Sequence, residues 1–176
     1  MKKLLFLSAI LFANSAIAQV LTSYTDADGL LNNNTLCVDV DEADKVWFGT
    51  QGGVSTFDGD TWVNYTGTDG LVDNTVFAIM VDSNGIMWAG TDFGISKMED
   101  GNWTTYTTDD GLEDNRIKHI FEDSDGLIWF AHNDGVSSFD GATFTNYTMD
   151  DGLPFGGVSH VNQDATGAMW FGTGLG

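Results

Sequence analysis

Cysteine, proline and positive charge are all scarce in this 176-residue chain, and the scarcities narrow its possible structures. The single cysteine, Cys37, has no partner within the chain, so no internal disulfide holds the fold together. Cys37 lies in a predicted strand between Leu36 and Val38, which favours a small buried side chain over a reactive thiol. Only one proline is present, and the chain beyond residue 18 has no helical periodicity, so helix has little support.

Positive charge is restricted to six Lys and Arg residues, against 26 Asp and Glu. A surface this acidic repels phosphate, which makes nucleic acid and anionic membranes poor partners. High charge can indicate disorder. Here a hydrophobic content of 42% and six Trp indicate a packed fold with a solubilising surface.

The first 18 residues differ from the rest of the chain. Lys2 and Lys3 precede an apolar run over residues 4–12, and Ala-Ile-Ala follows at 16–18. This is the pattern of a secretory signal peptide, and the apolar stretch is shorter than the about 20 residues of a membrane span. We therefore expect cleavage after Ala18, a mature domain over residues 19–176, and a periplasmic or secreted location.

The remainder is built on a repeat of 41 residues. Three markers recur at this spacing in one register, without insertions. The first marker is a Trp that opens a Trp-Phe-Gly-Thr-like motif, at Trp47, Trp88, Trp129 and Trp170. The second is Asp-Gly-Leu, which begins at residues 28, 69, 110 and 151. The third is a Tyr-Thr pair, at Tyr24, Tyr65, Tyr106 and Tyr147.

Each repeat contains four short runs rich in β-branched and aromatic residues. In the second repeat they cover residues 75–82, 86–91, 94–98 and 103–107, and we name them strands A to D. Tight-turn sequences such as Ser83-Asn84-Gly85 join A to B, and Glu99-Asp100-Gly101 joins C to D. Four antiparallel strands in a repeat of this length predict one blade of a β-propeller.

The third repeat carries a specific combination of motifs: Ile-Trp-Phe at 128–130, Gly-Val-Ser-Ser-Phe-Asp-Gly at 135–141, Tyr-Thr at 147–148 and Asp-Gly-Leu at 151–153. This combination resembles the two-component regulator propeller repeat, and the resemblance extends over residues 21–176. It implies a propeller fold. It also implies a sensing role, because such repeats form the periplasmic sensor region of many hybrid histidine kinases, although they also occur in secreted proteins without a kinase.

The strand count predicts an incomplete ring. Residues 21–25 align with a D strand, three complete blades follow, and the fourth stops after strand B. The expected fold is an all-β arc of four-stranded antiparallel blades, about 3.75 blades long, whereas closed propellers have about 4–8. Further repeats or a second copy of the chain would be needed to close it.

Two repeated motifs allow a chemical or a structural interpretation. The Asp-x-x-Gly sequences at 82–85 and 123–126 place oxygen ligands in short loops, but no distant Glu completes a calcium loop, so turn capping is favoured. The repeated Trp residues match a sugar-stacking series, but recurrence at one strand position favours packing between blades. We expect no metal and no cofactor.

No catalytic constellation is visible. His119, His132 and His160 lie on different repeats, and no motif marks a serine or cysteine nucleophile. Carboxylates are too abundant to indicate glycoside chemistry. The chain is therefore expected not to be an enzyme, with a propeller lyase or glycosidase as the least supported alternative.

Ligand binding is expected on the face that carries the D–A and B–C loops, where the repeats differ most from one another. The candidate residues on these loops are Gln51, Asn74, Asp92, Phe93, Asn115, Arg116, His132, Asn133 and Phe155. For an anionic ligand, Arg116 is the favoured contact and His132 its helper, and the alternative for Arg116 is an ion pair with a nearby acidic residue. The expected function is an exported sensor module for an extracellular ligand, with carbohydrate as one candidate. The alternative is a structural or protein-interaction propeller fragment.

Overall fold

The computed structural model describes residues 22–174, which form three complete four-stranded sheets and one two-stranded sheet. All pairings between neighbouring strands are antiparallel, so each sheet is a meander. The first two blades are made of β1 (Thr35–Val40), β2 (Val46–Thr50), β3 (Val54–Phe57), β4 (Trp62–Tyr65), β5 (Ala78–Val81), β6 (Met87–Gly90), β7 (Ile95–Glu99) and β8 (Asn102–Tyr106). The rest is made of β9 (Ile117–Glu122), β10 (Ile128–His132), β11 (Val136–Phe139), β12 (Phe144–Tyr147), β13 (Val158–Gln163) and β14 (Met169–Thr173).

The predicted four-strand blade is confirmed. In the second repeat, the predicted runs A to D correspond to β5, β6, β7 and β8, and these strands are hydrogen-bonded in that order. Strands A of successive blades contact one another, β1 with β5, β5 with β9, and β9 with β13. The A strands therefore form the inner edge of the arc, as in a propeller.

The core lies between blades. Trp47 packs with Ile79, Met87 and Ala89 of the next blade, and Trp88 packs with Ile120 and Phe130 of the blade after that. The Trp129 ring lies 5.9 Å from that of Phe171 in the same way. The prediction that the repeated Trp residues pack between blades is confirmed for these three.

Each repeated Trp is also fixed by the Asp that opens the A–B turn six residues earlier. In the second blade, Asp82 Oδ1 accepts hydrogen bonds from the backbone N–H groups of Asn84 and Ile86, while Oδ2 accepts 2.9 Å from Trp88 Nε1. The Trp–Asp bond recurs in all four sheets, with donor–acceptor distances of 2.7–3.0 Å. One side chain therefore closes the turn and positions the core aromatic, which explains the Asp-x-x-Gly motif without a metal.

The two ends of the arc are uncovered among the described residues. Trp170 occupies the register of Trp88, yet it is 64% exposed whereas Trp88 is 3% exposed. At the other end Val38 is 58% exposed, while its register-mates Ile79, Ile120 and Val161 are buried by the preceding blade. Internal blades bury both faces, and the first and last sheets bury one face each.

The predicted D strand over residues 21–25 is wrong for its described part. Residue 21 lies outside the described residues, and residues 22–25 form no strand, so the described chain holds 14 strands and not the expected 15. A D strand pairs only with strand C of its own blade, and the fourth sheet contains only strands A and B, β13 and β14. Residues 22–25 therefore have no strand to pair with.

The predicted signal peptide, residues 1–18, lies outside the described residues. Over residues 22–174 no helix has the length and apolar character needed to cross a membrane. The helical segments there are three short 3-10 turns, Asp26–Asp28, Thr108–Asp110 and Met149–Asp151.

Candidate ligand-binding face

The D–A and B–C loops meet on one face of the arc, as expected from the antiparallel connections. Gln51 N–H, on the first B–C loop, donates to the carbonyl of Asn34 on the preceding D–A loop over 3.1 Å. Gly94 N–H donates to the carbonyl of Asn115 over 2.9 Å, and Asn133 N–H donates to Asp114 Oδ2 over 3.1 Å. Contacts of this kind join these neighbouring loops into one surface, which we name the loop face.

The D–A loops share one fold, which the Thr…Asp-Gly-Leu sequence dictates. In the third of them, Thr107 N–H and Oγ1–H both donate to Asp110 Oδ2, and Gly111 takes a left-handed φ of 103°. Thr25 and Asp28, and Thr148 and Asp151, repeat the arrangement. Such reciprocal capping fixes a short turn. The following Leu is buried in the first three loops and attaches the turn to the core.

Side chains of strands C and D of the following blade hold the D–A loop in place. In the first blade Ser55 Oγ accepts 2.9 Å from Leu31 N–H and donates 2.6 Å to Asn64 Oδ1. Asn64 Nδ2 in turn donates to the carbonyl of Gly29. We name this set the Ser–Asn anchor. In the second blade Ser96 Oγ accepts from Val72 N–H in the same way.

His132 changes this pattern in the third blade. It replaces the threonine found at Thr50 and Thr91, is fully buried, and places Nε2 2.9 Å from Ser137 Oγ. Because Ser137 Oγ donates to Asn146 Oδ1, it accepts from His132, which assigns the proton to Nε2 and leaves Nδ1 without a partner. Burial lowers the pKa of His132 to about 4. The prediction that His132 assists Arg116 in ligand binding is wrong, because its side chain does not reach the surface.

The His132–Ser137 contact is also not a catalytic dyad. The serine hydroxyl proton is committed to Asn146, so the imidazole cannot take it as a general base. Both residues are fully buried, so no substrate can contact them. The pair belongs to the anchor of the third D–A loop, because Asn146 Nδ2 donates to the carbonyl of Gly111.

A cavity of about 480 Å³ opens on the loop face between the second and third blades. It is lined by Phe77, Asp92, Arg116, Ile117 and Lys118. Arg116 Nε lies 2.7 Å from Asp92 Oδ1, so the B–C loop of one blade and the A strand of the next share an ion pair. The Arg116 side chain stays 56% exposed, and its two terminal nitrogens contact no acceptor among the described residues. We name this cavity the arginine cavity.

Lys118 is the second cation of the arginine cavity. In residues 22–174 no carboxylate lies within ion-pair distance of it. Its Nζ points towards the fourth sheet, where it lies 3.6 Å from the point that a Cβ on Gly157 would occupy. The Phe155 ring lies 3.2 Å from the same point, so this exposed aromatic residue and Lys118 share one region.

The other predicted site residues lie on the loop face but not together. Phe93 is exposed beside Asp92, and Gln51 is exposed one blade away. Asn74 and Asn115 use their Oδ1 atoms inside the loops, accepting from the N–H groups of Gly67 and Thr108. Asn133 is half-buried and contacts Asp114 through its backbone.

Sequence reasoning missed Phe77 and Lys118, although a signal for them exists. They occupy one register of strand A, whose other members are Leu36 and Ser159. This position therefore holds an apolar, an aromatic, a basic and a hydroxyl residue in the four repeats. Such variation within a regular repeat indicates a binding surface, but the sequence prediction considered only the loops. The end of strand A contributes to the same face.

The inner edge also holds a histidine pair. The rings of His119 and His160 lie 5.0 Å apart, and His119 Nδ1 accepts a 3.4 Å hydrogen bond from Val161 N–H. Burial and then the neighbouring His160 lower the pKa of His119. Their register-mate Cys37 is largely buried, which raises its pKa to about 12. No cluster of three or more His, Cys, Asp or Glu suited to a metal ion occurs in residues 22–174.

The opposite face carries a second cavity, of about 410 Å³, between the A–B turns of the first two blades. It is lined by four carboxylates, three of which are committed to the fold. Asp41 and Asp82 hold the Trp residues, and Glu122 accepts from the N–H and Oγ–H of Ser83. Burial opposes ionisation of Asp41, but the Trp47 and backbone N–H donors outweigh it and lower its pKa. The charges here hold turns and blades together.

A family model for the two component regulator propeller matches residues 70–93 and 111–134. Both segments run from the Gly of Asp-Gly-Leu through strands A and B into the B–C loop. They hold Phe77, Asp92, Arg116 and Lys118, so the arginine cavity lies between the two matched segments. These two segments of the chain match the two-component regulator propeller repeat.

Solved structures place these regulator propeller repeats among larger proteins. The chain is 27% identical, with a TM-score of 0.76, to a structure described as the extracellular domain of the hybrid two component system BT3049 from B. thetaiotaomicron. The match covers 86% of this chain and 22% of that one. The extracellular domain of BT4673 from B. thetaiotaomicron matches at 21% identity and a TM-score of 0.67, over 81% of this chain and 22% of that one.

Regulator propeller repeats share their fold with enzymes as well. Virginiamycin B lyase from Staphylococcus aureus matches at 19% identity and a TM-score of 0.63, over 78% of this chain and 48% of that one. Similarity at this level concerns the fold alone. No curated protein sequence matches the chain significantly. The chain spans about a fifth of the length of the two-component domains that it resembles.

Proposed function

We propose that this regulator propeller is the ligand-recognition module of an extracytoplasmic sensor region, and that it binds its ligand on the loop face. The observation that carries the proposal is the match of residues 70–93 and 111–134 to the regulator propeller model. The similarity to the BT3049 extracellular domain, at 27% identity, supports the same role. A location outside the cytoplasm agrees with the leader-like sequence of residues 1–18.

The loop face is favoured over the opposite face because of where free polar groups lie. On the opposite face the Asp residues close turns and hold Trp side chains, and they recur with little change in each repeat. On the loop face the backbone is equally regular, but the exposed side chains change from blade to blade. Variable side chains on a fixed scaffold are typical of a binding surface.

Recognition without catalysis is the proposed mode of action. His132 contacts Ser137 and His160 contacts Ser159, but each serine hydroxyl donates to another acceptor, Asn146 Oδ1 and the carbonyl of Gly172. His132 is buried against Ser137, and His119 and His160 face each other. The similarity to the lyase, at 19% identity, concerns the fold alone.

The binding proposal is tested by thermal shift and calorimetry with a panel of neutral and acidic oligosaccharides. Phe93→Ala alters an aromatic residue on the loop face, and Val63→Ala alters an exposed apolar residue on strand D of the first blade. We expect an oligosaccharide that stabilises the wild type to bind Phe93→Ala more weakly and Val63→Ala unchanged. Binding that responds to Val63 and ignores Phe93 would reject the loop face.

The location is tested by N-terminal sequencing of the product from a bacterial host. We expect the mature chain to begin at Gln19 and to be recovered outside the cytoplasm. A cytosolic protein that retains residues 1–18 would contradict this part of the proposal.

A structural role is the second candidate, favoured by the uncovered faces at Trp170 and Val38. Residues in these registers form the inter-blade core elsewhere in the arc. We propose that further propeller repeats or a second copy of the chain cover these faces. This role is compatible with ligand binding, because the loop face is separate from both uncovered faces.

A further inference from the structure

We propose that the arginine cavity is a binding site for a small carboxylate-bearing ring compound, such as a uronic acid, with Arg116 and Lys118 as the charge contacts and Phe77 as the ring platform. This inference rests on the proposed ligand-binding function and names its ligand class. Three kinds of observation support it: the positions and partners of Arg116 and Lys118, the exposed ring of Phe77, and the volume of the cavity.

The first observation is the placement of positive charge. The 26 acidic residues of the chain greatly outnumber its basic residues, of which only four follow residue 18. Two of these four, Arg116 and Lys118, line one cavity. The other two lie over Trp rings, Lys45 at 5.7 Å from Trp47 and Lys97 at 5.6 Å from Trp88, and Lys97 also pairs with Glu99. The arginine cavity is therefore lined by two of the four basic residues in the described part of the chain.

The second observation is how Arg116 is held. Asp92 contacts the guanidinium through Nε at 2.7 Å, which fixes the plane of the group. The edge formed by the two terminal nitrogens stays free, and a carboxylate binds such an edge through two parallel hydrogen bonds. Asp92 therefore acts as a positioning residue and does not occupy the site. Arg116 N–H is bonded to Asp114 Oδ1, which fixes the backbone as well.

The third observation is the unpaired ammonium of Lys118. Lys118, two residues after Arg116, lines the cavity and has no carboxylate partner in residues 22–174, and its Nζ lies beside Gly157 at the fourth sheet. Arg116 and Lys97 each contact a carboxylate, whereas Lys118 is half-buried and contacts none among the described residues. A ligand that extends from Arg116 towards the fourth sheet would reach this ammonium and supply its counter-charge.

The ring preference comes from Phe77 and from the cavity volume. Phe77 occupies the same register as Lys118 on the neighbouring strand and exposes 38% of its surface at the cavity. Aromatic faces bind the apolar faces of rings in ligands. A volume of about 480 Å³ accommodates one or two sugar-sized rings. The lining thus contains a charge contact and a stacking surface. A simple inorganic anion has no ring and would use only the charge contact.

The test is calorimetric titration of the purified chain with D-glucuronate, D-glucose and inorganic phosphate. Glucuronate and glucose differ at one carbon, so they isolate the carboxylate, and phosphate reports on charge without a ring. The variants are Arg116→Gln, Lys118→Gln and Phe77→Ala. The matched control is Lys97→Gln, which removes one positive charge outside the cavity.

We expect glucuronate to bind the wild type and Lys97→Gln equally, and each cavity variant about tenfold or more weakly, because a charge-assisted contact or the ring platform is lost. Glucose and phosphate are each expected to bind about tenfold or more weakly than glucuronate. Equal binding of glucose, equal binding of phosphate, an unchanged affinity in Arg116→Gln, or no measurable binding of glucuronate would each overturn the inference. A neutral oligosaccharide that binds and responds to Phe93→Ala would leave the proposed function standing while this ligand class is rejected.

Discussion

Substitution of Trp88 by Ala is expected to destabilise the chain far more than the same substitution at Trp170. Both residues open the same motif, and both donate from Nε1 to the Asp six residues earlier, over 2.9 and 2.8 Å. The next blade covers Trp88, which is 3% exposed, whereas no described blade covers Trp170, which is 64% exposed. The comparison therefore isolates burial between blades from local structure.

The magnitudes follow from the buried area. A Trp side chain buries roughly 200 Å², which at about 25 cal/mol per Å² corresponds to about 5 kcal/mol as an upper value. Measured Trp→Ala costs in cores are about 3–5 kcal/mol. Trp170 keeps only about a third of its surface out of water, so its loss should cost about 1–2 kcal/mol. We expect a difference of about 2–3 kcal/mol between the two variants.

Urea unfolding followed by fluorescence measures both free energies of unfolding. A low protein concentration keeps self-association from burying Trp170. Asp82→Asn provides a further control, because it removes one charge at the turn while leaving the aromatic ring between the blades. Equal losses of stability for Trp88→Ala and Trp170→Ala would refute the argument that inter-blade burial is the main stabilising term.

Three further predictions concern other parts of the molecule. Because burial lowers the pKa of His132 to about 4, the unfolded chain binds the extra proton between about pH 6.5 and 4. Stability should fall over this window by up to about 3 kcal/mol, and His132→Thr, which restores the residue of the other blades, should remove that part of the loss in urea titrations at several pH values. Cys37, with its pKa raised to about 12, should resist iodoacetamide at pH 8 in the folded chain and react once unfolded, as followed by mass spectrometry; rapid reaction of the folded chain would contradict its burial. The isolated mature chain should associate through its uncovered faces in light scattering, and Trp170→Lys should weaken this; a monomer that ignores concentration would show that an open arc is self-sufficient.

Much of the fold follows from the sequence because one structural unit is repeated without insertions. The spacing of 41 residues, the turn sequences and the β-rich runs predict each blade, and the strands of the second repeat lie within a few residues of the predicted ones. The Trp–Asp contact explains why these two residues recur together. The sequence pattern indicates that the Trp and the Asp recur in each repeat, and the structure identifies the hydrogen bond between them.

The prediction of an N-terminal strand is wrong because strand formation depends on a pairing partner, which the local sequence does not reveal. Residues 21–25 have the composition of a D strand, but strand formation needs a neighbour, and the described chain provides no C strand for them. Alignment of the repeats identifies the strand position that a residue would occupy, but it does not show whether the strand that should pair with it is present.

The candidate site was predicted in part. Arg116, Asp92 and the loop face were identified from the departures between repeats, and the structure brings these two residues into one cavity. The prediction for His132 is wrong because departure from the repeat does not by itself indicate an exposed position. A His at a buried threonine position departs from the repeat just as strongly, and only the side-chain direction separates the two cases.

The Ser–Asn anchor and the Thr–Asp cap have a consequence for how this surface can change over evolutionary time. The first three blades hold their D–A loops through hydrogen bonds between side chains of strand C or D and the backbone of the loop. The exposed side chains at the loop tips take no part in these bonds. A mutation at one tip can therefore alter one patch of the surface while the neighbouring loops keep their geometry. Ligand preference can diversify blade by blade, and duplication of a 41-residue unit adds a new, already folded patch.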